Sequence, residues 1–112
     1  MPAMAHAVEI RSYTLKPGTR DEFHRLMCTQ ALPMLRRWQV DVVASGPSPH
    51  DESSYYLIRA YRDLADRQSS QDAFYGSDEW RRGPREPILA LIDAHASVVL
   101  MLADDALAVL RR

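Results

Sequence analysis

The sequence predicts one α+β domain of ferredoxin-like type: a four-stranded antiparallel sheet with two helices packed on one face. Three observations lead there. Val8–Leu15 and Ser54–Tyr61 alternate with period two, as strands do. A helix-period stretch follows each of them and opens on a capping residue. A short proline- and glycine-rich loop, Gly46-Pro47-Ser48-Pro49-His50-Asp51, joins the middle two strands as an antiparallel hairpin. At 112 residues the chain is long enough for a core and too short for two domains.

Taken in order, residues 1–7 are expected to be a disordered leader, 8–102 the domain, and 103–112 a C-terminal extension able to form a short helix. In the first strand Val8, Ile10, Ser12 and Thr14 point one way, and Glu9, Arg11, Tyr13 and Leu15 the other. Lys16-Pro17-Gly18 turns the chain. Thr19-Arg20-Asp21-Glu22 has capping-box form, and Phe23, Leu26, Met27, Ala31, Met34 and Leu35 make a clean apolar stripe. Pro33 should break or kink this helix.

A second strand is expected over Trp38–Ser45 and a third over Ser54–Tyr61. Asp63 caps a second helix to about Tyr75, whose inward stripe (Leu64, Arg67, Gln68, Gln71, Phe74, Tyr75) is far more polar than the first. Pro84–Asp93 reads as a short helix burying Ile88, Leu89 and Ile92, and His95–Leu102 as the fourth strand.

On this topology the first and third strands are central neighbours. The apolar even positions (Val8, Ile10, Ser12; Tyr56, Ile58, Ala60) suit the helix-covered face. The odd positions then fall on the open face, placing Arg11, Tyr13, Tyr55, Arg59 and Tyr61 together. Arginine and tyrosine are enriched at interfaces, so these five are candidate dimer-interface residues, and a second copy of the chain is the expected partner. They could instead bind a carboxylate or phenolate.

Beneath the second helix, Arg67 with Ser12, Tyr56, Gln71 and Trp80 forms the candidate ligand-binding group. Arg67 either anchors an anion or bridges to Asp63 or Asp78. Trp80 either walls the site or fills a gap in the core.

Composition excludes several classes. A net charge of −1 supplies no field for nucleic acid or an anionic membrane. One cysteine rules out an intramolecular disulfide. No signal-peptide pattern or apolar run of membrane-spanning length occurs, so a cytoplasmic location is expected. The histidines (His6, His24, His50, His95) show no ligand spacing, and His24 with Cys28 is a poor two-donor site, so no metal is expected. No phosphate loop, dinucleotide fingerprint or nucleophile elbow is present, and no cofactor is expected.

Three pieces in order carry a family resemblance: Glu9-Ile10-Arg11-Ser12-Tyr13-Thr14-Leu15-Lys16-Pro17-Gly18 with Phe23, then Tyr61-Arg62-Asp63-Leu64-Ala65-Asp66-Arg67, then Ser77-Asp78-Glu79-Trp80. Over residues 8–102 the chain resembles the NIPSNAP family, a branch of the dimeric α+β barrel superfamily. The resemblance implies a ferredoxin-like protomer paired face to face, but no one reaction. Superfamily chemistry includes cofactor-independent monooxygenases and isomerases. The expected role is binding or transforming a small aromatic or anionic metabolite between sheet and helices. The alternative is a non-catalytic homodimeric interaction or structural protein.

Overall fold

A computed structural model describes residues 5–111. Its elements are β1 (Ala5–Leu15), α1 (Arg20–Leu26), α2 (Leu32–Arg37), β2 (Asp41–Pro47), β3 (Ser54–Tyr61), α3 (Leu64–Tyr75), α4 (Asp78–Arg82), α5 (Arg85–Leu89), β4 (Ile92–Ala103) and α6 (Asp104–Leu110). The sheet is antiparallel in the order β2-β3-β1-β4, with β1 and β3 in the middle. This is the ferredoxin-like α+β architecture the element order predicts.

Several boundaries differ from expectation for local reasons. β1 begins at Ala5, inside the expected leader, because Ala5–Ala7 pair with Met101–Ala103 of β4; residues 1–4 lie outside the described residues. Trp38 caps α2 rather than starting a strand, and Gln39, at φ 60°, turns the chain into β2. α5 ends at Leu89, and Ile92 already pairs with Leu15. Of the three apolar residues expected to be buried there, only Ile88 is fully so.

Pro33 neither breaks nor sharply ends the first helical segment. It has no N–H to donate, and its ring would strike the carbonyl four residues back. The chain widens instead into a π-turn over Met27–Ala31, in which the Leu32 N–H donates to the Met27 carbonyl five residues earlier. The apolar stripe stays continuous through it: Phe23, Leu26, Met27, Ala31, Met34 and Leu35 are all buried.

The assignment of strand faces is reversed. The odd residues, not the even ones, lie under the helices. Tyr13 and Tyr55 pack their rings on Phe23 of α1, at centroid separations of 5.3 and 4.9 Å. Tyr13, Tyr55, Arg59 and Tyr61 are buried within the single chain, so they are not an open interface. Val8, Ile10, Ser12, Tyr56, Ile58 and Ala60 lie on the opposite face. Alternation marks two faces without saying which is covered, and the polar stripe of α3 decides the matter.

That stripe meets a buried charge. Glu9 and Arg59 are directly opposed across β1 and β3 and are 0% and 1% exposed. Arg59 donates through Nε to Glu9 Oε1 (3.1 Å) and also through Nη2. From α3, Arg67 Nε (2.9 Å) and Gln71 Nε2 (2.8 Å) donate to Glu9 Oε2. Arg67, half expected to bridge to Asp63 or Asp78, is held by Glu9 instead. Burial alone would raise the Glu9 pKa; Arg59, Gln71 and Arg67 reverse that and hold it at about 2. Burial would likewise lower the Arg59 pKa, but Tyr75, Tyr61 and Glu9 raise it. The ion pair is therefore fully charged at neutral pH.

The even face carries a smaller second core. α6 lays Leu107 on Val8 and Ala60, with Leu102 and Leu110 alongside. Arg111 fixes its end by donating to both carboxylate oxygens of Asp41, at 2.9 and 2.6 Å, and Asp104 pairs with His6 near its start.

Glu9→Gln leaves Arg59 buried with no counter-charge and should cost about 3–5 kcal/mol, read as a lower urea midpoint at neutral pH. The Glu9 pKa is lowered on folding from 4.5 to about 2. Its contribution is therefore complete above pH 4.5 and is lost as the pH falls towards 2. Wild-type and Glu9→Gln midpoints should converge over that window; a pH-independent gap would contradict the assignment.

Candidate functional site

The helices cover β3 and most of β1 but leave much of β4 bare, and a cleft opens at that border. Its floor is the odd face of β1 and β4, where Arg11 lies beside Ser97 and Tyr13 beside His95 in the strand register. Its wall is the end of α3 with α4 and α5. Arg11, Gln71, Tyr75, Trp80, Arg85 and Leu89 line an open cleft of about 360 Å³.

Local sequence places each wall residue. Asp63 accepts from the Asp66 N–H and starts α3, bringing Gln71 and Tyr75 onto one face a helical turn apart. Ser77 then caps α4, accepting from the Trp80 N–H at 3.2 Å, which turns the indole inward. Trp80 is buried, with its ring centroid 5.3 Å from Phe74 and 5.4 Å from Tyr75. It therefore does both jobs left open by the sequence, filling the gap beneath the polar helix and walling the cleft. Glu79 pins α4 from outside, accepting from Trp38 Nε1 at 3.0 Å and pairing with Arg37.

The cleft's electrostatics favour an anion. Glu9 balances one of Arg59 and Arg67, leaving the network one positive charge in excess. Arg11 adds another at the cleft itself, whereas Arg85 at its rim is paired with Glu86 at 2.6 Å. Arg11 Nη2 donates to His95 Nδ1 at 3.2 Å, and its guanidinium carbon stands 5.6 Å from the centre of the Tyr13 ring. Arg11 Nε is buried and has no hydrogen-bond partner among the described residues. Tyr75 Oη accepts from Arg59 Nη1 at 2.7 Å, so its own proton is free to be donated. Burial pushes the Tyr13 phenol up to about 12, with Tyr75 adding to the rise, so Tyr13 is neutral here.

A larger depression of about 640 Å³ lies on the outer side of α4 and α5. Asp78 and Glu86 sit among its arginines and oppose an anion, and Tyr75 is its only aromatic wall.

Of the ligand candidates named from sequence, Gln71 and Trp80 line the cleft. Arg67 is engaged by Glu9 behind it. Ser12 and Tyr56 face each other on the opposite side of the sheet and take no part; there the Tyr56 phenol lies over Gly46, 3.4 Å from where a Cβ would sit. Of the interface candidates, Arg11 belongs to the cleft, Arg59 supports it through Tyr75, and Tyr13, Tyr55 and Tyr61 are core. Tyr61 Oη accepts from Gln71 at 3.3 Å, and Tyr55 Oη shares a hydrogen bond of 2.7 Å with His24 Nδ1.

Sequence reasoning assigned no site role to Tyr75, Arg85, Leu89 or His95. Tyr75 was legible as the last inward residue of the polar helix. The other three enter through the turns around α5 and the β4 register, which no local pattern encodes. Cys28 Sγ lies 3.6 Å from His24 Nε2, but no group of three or more metal-binding side chains converges among the described residues. No helix among those residues is long and apolar enough to cross a membrane.

Comparison with solved structures finds the same fold repeatedly. A NIPSNAP family protein from Agrobacterium tumefaciens superposes with TM-score 0.85 at 16% identity, covering 96% of this chain and 95% of that one. A NIPSNAP-like domain protein from Burkholderia xenovorans gives 0.82 at 20% identity, covering 90% and 88%. A second Agrobacterium tumefaciens NIPSNAP family protein, described as of unknown function, gives 0.81 at 19% identity, covering 89% and 90%. Identities this low speak to the fold alone. Comparison with curated proteins gave no match. The NIPSNAP family model matches residues 8–106, from β1 into the start of α6, and the chain belongs to the NIPSNAP family.

Proposed function

We propose that this protein is a cytoplasmic homodimer that binds a small aromatic or anionic metabolite in the cleft between β1/β4 and α3–α5. The observation that carries the reading is Arg11: a guanidinium with its Nε buried and unpartnered, at the floor of a cleft walled by Tyr75 and Trp80. A planar anion satisfies both halves of this arrangement. Its charge meets Arg11, and its ring lies against the indole and the phenol. Where the ligand carries an enolisable carbonyl, Arg11 and the Tyr75 hydroxyl are positioned to stabilise the developing oxyanion. A cofactor-independent monooxygenase- or isomerase-type reaction would use the cleft in that way.

The dimer reading rests on the part of the even face that α6 leaves bare. Ile58, Ile10 and Val98 form one row across three strands; in the next, Leu100 stays open while α6 covers Val8 and Ala60. Val98 and Leu100 are 54% and 41% exposed. Apolar residues in register on an open sheet face suit a second copy of the same face across a two-fold axis. The same observation favours the second reading, in which the dimer is itself the functional unit and the cleft is unused.

Titration with aromatic carboxylates of benzoate type, followed by quenching of tryptophan fluorescence, tests the first reading. Saturable binding is expected, and Arg11→Gln should weaken it about 10- to 100-fold, the worth of a lost charge-assisted hydrogen bond. Equal binding by wild type and Arg11→Gln would remove the cleft from consideration.

Light scattering tests the dimer. The wild type should run at twice the 12.8 kDa chain mass, and Val98→Asp with Leu100→Asp should run at that mass once. A wild-type monomer at micromolar concentration would exclude the dimer.

A further inference from the structure

His95 stands on the cleft floor beside the residue that carries its charge. It is exposed on the odd face of β4, opposite Tyr13 and two residues along from Ser97, the neighbour of Arg11. Its Nδ1 meets Arg11 Nη2 at 3.2 Å. That bond is what holds the Arg11 guanidinium over the Tyr13 ring, since Arg11 Nε has no partner among the described residues.

The chemistry of the pair fixes which ring nitrogen carries the proton. A guanidinium has five N–H donors and no acceptor, so Arg11 can only donate. Nδ1 must then offer its lone pair, and the proton of the neutral ring sits on Nε2. A ring protonated at both nitrogens would have nothing to accept with and would set a second cation against the first. Nε2–H makes no hydrogen bond among the described residues, and it belongs to an exposed ring on the cleft side of the sheet.

The two nitrogens therefore serve different ends. Nδ1 steadies the charged donor of the cleft, and Nε2–H is a neutral donor beside it. A plain carboxylate uses Arg11 alone, whereas an acid with a further oxygen on its ring can use both.

We infer that His95 determines which aromatic anion the cleft takes: Nδ1 positions Arg11 for the carboxylate, and Nε2–H binds a second, ring-borne oxygen, so that hydroxy-substituted aromatic acids are preferred to unsubstituted ones. The inference rests on the cleft being a ligand site and names the class of ligand for it. Tyr75, whose proton is also free, is the competing donor for that oxygen, and variants of His95 tell the two apart.

The test uses the full chain. Long-range proton–nitrogen NMR correlation at mildly alkaline pH reads the tautomer on the wild type, where Nε2 should be protonated and Nδ1 bare. Titration calorimetry then compares benzoate with its ortho, meta and para hydroxy forms. At least one hydroxybenzoate should bind the wild type about 2- to 10-fold tighter than benzoate, the worth of one neutral hydrogen bond. His95 is exposed, so substitutions there leave the core untouched. His95→Leu removes both functions; benzoate binding should weaken by about 3- to 10-fold and the preference should vanish. His95→Asn keeps a side-chain oxygen near the place of Nδ1 and has no donor in the place of Nε2. It should recover benzoate binding and still lack the preference, a pattern that general loss of structure does not produce.

A protonated Nδ1 overturns the inference. So do equal binding of all these acids by the wild type, a preference that survives in both variants, and an Asn variant that binds benzoate no better than Leu. Each of those results leaves the cleft a ligand site. Failure of the wild type to bind any of the acids removes the cleft reading itself, and the role of His95 falls with it.

Discussion

Glu9 is the constraint on which the rest of this structure depends. A carboxylate with no exposure in the middle of a central strand is costly unless its lone pairs and charge are met completely. Meeting them takes Arg59 from the neighbouring strand and both Arg67 and Gln71 from α3. The ion pair therefore sets the register of α3 on the sheet and selects which sheet face the helix covers. A plain hydrophobic stripe would tolerate sliding; five donors from three side chains converging on two oxygens do not. The polar second helix is thus no weak version of the first. It is the complement of a charged strand.

This also marks where the sequence could and could not be read. Strand existence, element order and the α1 stripe follow from periodicity, and all are present. Apolar-inward is a one-body rule, whereas which sheet face is covered is a two-body problem, settled here by α3. Glu9, Arg11 and Arg59 look like surface residues taken singly, and Arg67 and Gln71 look like errors in a helix stripe. Read as partners, the two anomalies cancel, and the charged strand face and the polar helix stripe point at each other. The misplacement of Ser12 and Tyr56 in the ligand group follows from that reversal. Trp38 was drawn into β2 because its spacing from Val40 and Val42 fits alternation, although the chain at Gln39 has positive φ. Nothing in local spacing could have brought Arg85 and His95 beside Arg11; that juxtaposition is made by the β4 register and the turns around α5.

With the faces reversed, the two surfaces of the sheet take different roles. The even face carries neighbouring rows of aliphatic side chains on β1, β3 and β4, closed at one end by α6 and Leu107. It has the chemistry of an association surface. The odd face carries the charge, the aromatic rings and the cleft. The proposed dimer surface and the proposed ligand cleft thus lie on opposite faces of one sheet, so the even face can change without moving Arg11 or Tyr75.

Tyr75 connects the buried network to the cleft. Its oxygen is fixed by Arg59, whose other donors are committed to Glu9, so the phenol is held from behind by the same carboxylate that seats α3. Its ring in turn packs edge-on against Trp80, at an interplanar angle of 81°. The position of this cleft wall therefore traces back to a single acidic residue on β1. A buried charge holds the wall in place. Glu9 thus reaches the cleft only at second hand, through Arg59 and the Tyr75 phenol.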